Sequence, residues 1–167
     1  PLFGWANKNF KPDGSVYNLF KDGLKIYTTI NSKMQAYAEE AVNEHLGKQL
    51  QKEFFADKKY NRRPPFSDDL TNEDVNRIMN QAMLRTDYYR ILRASGLERD
   101  SILKIFRTPV EMKVFSWDGE IDTVMSPMDS LRYYKYFLRA GFMAMEPSTG
   151  HVKAYVGGHN QKYFMYD

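Results

Sequence analysis

At Asn31 the hydrophobic period of this chain changes from two to about 3.6, and that switch limits the fold more than any other feature. Before it, Leu24, Ile26, Thr28 and Ile30 fall on one side of an alternating run. Alternation rich in β-branched residues predicts a strand over 24–30. After it, Met34, Ala38, Ala41 with Val42, His45 with Leu46, and Leu50 recur at steps of three and four. That spacing predicts one long amphipathic helix, with Asn31 as its N-cap. Glu39, Glu40, Glu44 and Lys48 lie on the opposite face, and Glu44–Lys48 is a favourable i,i+4 pair.

The flanking stretches complete an α+β pattern. Residues 1–23 read as a tether punctuated by Pro12, Asp13-Gly14 and Asp22-Gly23. A basic loop, Lys58-Lys-Tyr-Asn-Arg-Arg63, ends on Pro64-Pro65. Thr71-Asn-Glu-Asp74 has the form of a capping box ahead of a helix whose stripe is Val75, Ile78, Met79, Ala82 and Met83. Two shorter helices are predicted, from Tyr88 to Ala94 with Gly96 closing it, and from about Glu98 to Phe106. Val110–Trp117 alternates, and Asp118-Gly119 is a hairpin signal before Glu120–Val124. Pro127 to Arg139 reads as a helix, Gly141–Met145 as a buried-type strand, and His151–Val156 as its return. The resulting fold class is α+β, a small antiparallel sheet with a long helix and an inserted helical block. The expected divisions are 1–23, 24–50, 51–108 and 109–167.

Composition narrows the chemistry. The 167 residues contain no Cys, which excludes thiol catalysis, disulfides and Cys-based zinc sites. No apolar run approaches the roughly 18–20 residues of a bilayer span, and Pro1 to Phe10 does not have the form of a signal peptide. A start on Pro1 suggests a fragment. The net charge of +3 resides in residues 51–108, which hold 12 Lys/Arg against 9 Asp/Glu, the remainder holding 12 of each.

Candidate sites are few. His45 lies on the helical stripe and reads as a packed residue, while His151 and His159 flank a strand at surface positions. Ser101-Ile-Leu-Lys104 fits Ser-x-x-Lys, where a helix sets an amine one turn from a nucleophilic hydroxyl. A pattern with two fixed positions recurs by chance, and a solvated Lys104 is the plainer reading. Tyr88–Phe106 has the outline of a helix-turn-helix, ringed by Arg85, Arg90, Arg93, Arg99, Lys104 and Arg107. Glu98 and Asp100 would set negative charge at the head of its second helix. Tyr133, Tyr134, Tyr136 and Phe137 read as core and rim packing.

Two motifs carry a resemblance. Asp22-Gly-Leu-Lys-Ile-Tyr-Thr-Thr-Ile-Asn31, followed by Lys33-Met-Gln35, resembles the segment joining the catalytic domains of class A penicillin-binding proteins. Asn31 replaces the usual Asp there, and Met34 the usual Leu. Ala144-Met-Glu-Pro-Ser-Thr-Gly-His-Val-Lys-Ala-Tyr-Val-Gly-Gly158 is similar to the first hairpin of that family's transpeptidase domain. The two stand in the family's order, and residues 51–108 match less clearly.

The resemblance implies a fragment of a bifunctional peptidoglycan synthase at the periplasmic face of a bacterial inner membrane. Such an enzyme pairs a glycosyltransferase with a serine transpeptidase that β-lactams trap. On that reading 1–23 comes from the glycosyltransferase side, 24–50 is the linker strand and helix, 51–108 an insert, and 109–167 the truncated start of a β-lactamase-like transpeptidase domain. The family's Ser-x-x-Lys follows the Gly-Gly of the hairpin, whereas Ser101 and Lys104 precede it. No catalytic, metal or cofactor residue is therefore assigned, and no cofactor is expected.

The expected partners are the remainder of the penicillin-binding protein and other cell-wall synthesis proteins, not nucleic acid. Self-association through an open sheet edge is a further expectation. Two other classes stay open: a small helix-turn-helix nucleic-acid-binding protein, and a stand-alone periplasmic adaptor.

Overall fold

The computed structural model describes residues 2–158, 160 and 162–164, with the side chains of Leu2 and Phe3 excepted. His159 lies outside the described residues. The order of elements is α1 (Leu2–Ala6), α2 (Ser32–Val42), a π-helical stretch (Asn43–Leu50), α3 (Gln51–Lys58), α4 (Asn72–Leu84), α5 (Asp87–Ala94), α6 (Arg99–Arg107), β1 (Val110–Ser116), β2 (Gly119–Met125), α7 (Pro127–Tyr134), β3 (Phe142–Met145) and β4 (Val152–Val156).

The local codes are obeyed where they are strong. Asn31 Oδ1 accepts from the Lys33 and Met34 N–H groups at 3.1 Å and starts α2. The box at α4 is complete: Thr71 Oγ1 accepts from Asp74 N at 3.1 Å, and Asp74 Oδ2 accepts from Thr71 N at 3.1 Å. Ser126 caps α7 by accepting from Asp129 N at 3.1 Å. In the β1–β2 hairpin, Ser116 pairs with Gly119 and Val110 with Met125. Gly119 has φ +123°, a value that a residue with a Cβ rarely adopts.

Three packings assemble these pieces. Ala38 of α2 packs on Ala154 and Val156 of β4, with Val42 and Ala144 beside them. Met83, Ile102 and Phe106, all essentially inaccessible, join α4 to α6, and Met128 and Leu131 of α7 close over them. The same two α7 residues pack against Phe66, Val75 and Met79. An aromatic cluster, Phe115, Phe137 and Phe164, links β1 to the turn after α7.

Several expectations are corrected. Residues 24–30 form no strand. Their alternation lacks a partner ladder: Thr29 Oγ1 donates to Val152 O at 2.7 Å and Asn31 N to Lys153 O at 2.8 Å, while Ile26 and Tyr27 are exposed. The long helix runs on to Lys58 through the π stretch instead of ending near Leu50. His45 is exposed, not packed, because the buried positions there are Leu46 and Gly47. The stretch expected as a tether carries local contacts of its own. Phe10 bridges Val16, and Lys11 pairs with Asp22 at 2.7 Å.

The helix expected to reach Arg139 stops at Tyr134, since the backbone beyond it is bonded to another element. The third strand is exposed, not buried, with Phe142, Met143 and Met145 about half accessible.

Candidate functional site

Two grooves flank the long helix. One, of about 500 Å³, runs between the helix and β3, and Met34, Ala38, Val42, His45, Phe142 and Ala144 are among its walls. It is almost wholly apolar, because the alanines keep the helix close to the sheet while β3 leaves its outer edge open. The other, of about 770 Å³, lies between the opposite face and the tip of the β1–β2 hairpin. Glu40, Glu44, Lys48, Trp117, Asp118 and Tyr133 contribute to it. Lys48 Nζ sits 3.8 Å from Glu44, with both side chains well exposed, so the expected i,i+4 pair forms but contributes only a few tenths of a kcal/mol.

The floor of the second groove is closely packed. Gly47 faces the Trp117 ring so closely that a Cβ would lie 2.4 Å from a ring carbon. Gln51 is 1% exposed. Its Nε2 donates to Tyr136 O at 2.7 Å, and its Oε1 accepts from Leu138 N at 2.9 Å. Nearby, Tyr133 donates to Phe115 O at 2.7 Å, and Phe115 N donates to Tyr134 Oη at 3.2 Å. Burial raises both phenol pKa values. Tyr133, Tyr134 and Phe137 therefore pack the core and its rim, as their sequence predicts.

Sequence reasoning missed Gly47 and Gln51. A glycine and a glutamine in a long helix carry no local mark of what they face.

The remaining candidates are placed as follows. Ser101 and Lys104 are exposed on the outer face of α6, whose inner face is Ile102 and Phe106. Arg90 pairs with Asp87 on its own helix, and Arg93 Nη1 donates to Leu97 O at 2.9 Å. Both therefore have partners inside the helix pair. In the basic loop, Arg63 binds Asn72 Oδ1 and Leu70 O, tying the loop to the start of α4. Lys135 has its pKa lowered first by burial and then by Arg139 and Arg85. His151 Nδ1 is 4.0 Å from Glu146 Oε2. Among the described residues, no group of three His, Asp or Glu side chains is placed to hold a metal ion. No helix among them is long and apolar enough to cross a membrane.

The helices α4–α6, the β1–β2 hairpin and α7 form one packed unit, and that unit is what other proteins share. Residues 61–138 match the penicillin-binding protein middle domain. The match supports a relation to the penicillin-binding proteins, and with it a region of a cell-envelope protein involved in cell-wall synthesis. It covers the stretch in which the sequence resemblance was weakest, and it runs across the division expected at 108/109. In structure the two sides of that division meet where Met128 and Leu131 pack on Met83 and Val75. No curated protein and no solved structure gave a significant match.

Proposed function

We propose that the chain is a non-catalytic portion of a class A penicillin-binding protein, comprising the inter-domain linker, the middle domain and the first hairpin of the transpeptidase. The observation that carries this reading is the match at 61–138. It is independent of the two flanking motifs, 22–35 and 144–158, that suggested the same family. Three segments in series pointing to one family are hard to reconcile with coincidence.

The role is architectural: this portion sets the spacing of the glycosyltransferase and transpeptidase sites at the periplasmic face of the inner membrane, and its surface meets other cell-wall proteins. Two features support that role. The side chains of highest burial, among them Phe106, Met83, Ile102 and Gln51, serve packing between elements. Ser101 and Lys104 stand on an exposed helix face.

Fluorescent penicillin tests the reading. The expected result is no covalent labelling of the 167-residue chain and labelling of a version extended past Asp167 through a Ser-x-x-Lys. Labelling of the 167-residue chain, lost on Ser101→Ala, would overturn it.

A further inference from the structure

Two glutamines on the long helix make the same unusual bond. Gln35 Nε2 donates to Tyr155 O at 2.9 Å, and Tyr155 N donates to Gln35 Oε1 at 2.8 Å. Gln51 does the same with Tyr136 O and Leu138 N. In each case a side-chain amide takes the part of a strand residue, giving one donor and one acceptor to a backbone. The backbones belong to different bodies. Tyr155 is in β4, whereas Tyr136 and Leu138 follow α7 at the end of the packed 61–138 unit.

Between the glutamines lies the π-helical stretch. The Gln51 N–H donates to Leu46 O, five residues back. The two residues are 16 positions apart, about 24 Å along a helix axis at its usual rise. In an unbroken α-helix that spacing would set them about 160° apart around the axis, on nearly opposite faces. An i→i+5 turn holds one more residue than an α turn, which sets the helix back by about 100° and leaves about 60° between them. The π stretch thus resets the phase of Gln51 relative to Gln35. It also brings Gly47 under Trp117, where no larger residue fits.

We propose that the continuous helix 32–58 is a strut that fixes the angle between the β3–β4 sheet and the 61–138 unit, with Gln35 and Gln51 as its positioning residues and the π stretch setting their relative orientation. Neither body can pivot on the helix without breaking a two-bond amide clamp. The strut rests on this geometry alone and stands whatever enzyme the chain serves.

The absence of Cys makes the test direct. Spin labels on Ser148→Cys and Asn76→Cys, both exposed, report the distance between the two bodies by pulsed electron resonance. The expected result is one narrow distribution in the otherwise unaltered chain. It should broaden at least twofold in Gln35→Ala, and its mean should shift by more than its own width on deletion of Gln49, which removes the extra residue. Gln35 sits at the helix surface, so its alanine variant is expected to keep the parent circular dichroism and decides the matter alone. A folded Gln35→Ala chain with the parent mean and width would overturn the proposal.

Discussion

The Gln51 side chain, 1% exposed, and the Leu138 backbone, 87 positions apart in sequence, are joined by a hydrogen bond of 2.9 Å. With the second bond to Tyr136 O, the amide occupies the backbone groups that a longer α7 would have used. One side chain thereby ends a helix and anchors its successor.

Gln51→Leu puts an apolar side chain of similar size in place of the amide and removes both bonds to the 136–138 backbone. A partly buried N–H and a partly buried C=O are left without this partner, so the expected loss is about 1–3 kcal/mol of unfolding free energy. Urea denaturation followed by far-ultraviolet dichroism measures it. A loss below the usual scatter of surface substitutions would mean that water or a shifted turn replaces the amide.

Gly47→Ala places a methyl group against the Trp117 ring. Ring atoms at 2.4–2.9 Å from the new carbon cannot stay where they are, and overpacking of this kind costs about 1–3 kcal/mol. The Trp117 emission should shift as the ring moves. Because Trp5 contributes a second signal, the comparison is made in a Trp5→Phe background. Unchanged emission and stability would contradict the packing.

Met83→Ala should be among the damaging core truncations. Met83 is wholly buried where α4, α6 and α7 meet, with Leu131 and Met128 over it. A cavity there is expected to cost about 2–5 kcal/mol. Ile91→Ala, on a side chain 64% exposed, should change stability by less than about 0.5 kcal/mol. Thermal or urea unfolding separates the two.

The capping box makes part of the stability pH-dependent. Asp74 accepts from the Thr71 hydroxyl and, secondarily, from its N–H, which holds its pKa below the usual carboxylate value. A depressed folded-state pKa stabilises fully above the unfolded value, near 4, and that stabilisation is lost as pH falls through the lower, folded-state value. The melting temperature of Asp74→Asn should therefore lie below that of the parent at pH 7, with the gap closing towards pH 3. A gap of constant size across that range would assign the effect to something other than the carboxylate charge.

Much of the fold was legible because it is locally encoded. Asn31, Thr71 and Ser126 each present an oxygen to the first turn of a helix, and Asp118-Gly119 can hardly do other than turn a hairpin. The candidate site was less legible. His45 and Leu46 both suit an apolar stripe, and in the structure Leu46 is buried while His45 is exposed. Trp117 reads as a strand residue, and nothing around it announces Gly47. The apolar run 141–145 looks like a buried strand, yet Phe142 and Ala144 line an open groove, Met143 and Met145 are exposed, and its edge carries no neighbour among the described residues.

The sequence by itself determined where helices start, where the hairpin turns, and that no thiol chemistry operates. These depend on a few adjacent residues whose hydrogen bonds close within one turn. Tertiary structure decided what became of 24–30, where α7 stops, and how the long helix is phased. Each of those outcomes depends on a partner tens of residues away: β4 for Thr29 and Asn31, Gln51 for Tyr136 and Leu138, Trp117 for Gly47. A periodic pattern states which side of an element is apolar. Whether a strand forms there, or a helix gains a residue, depends on what the rest of the chain brings against it.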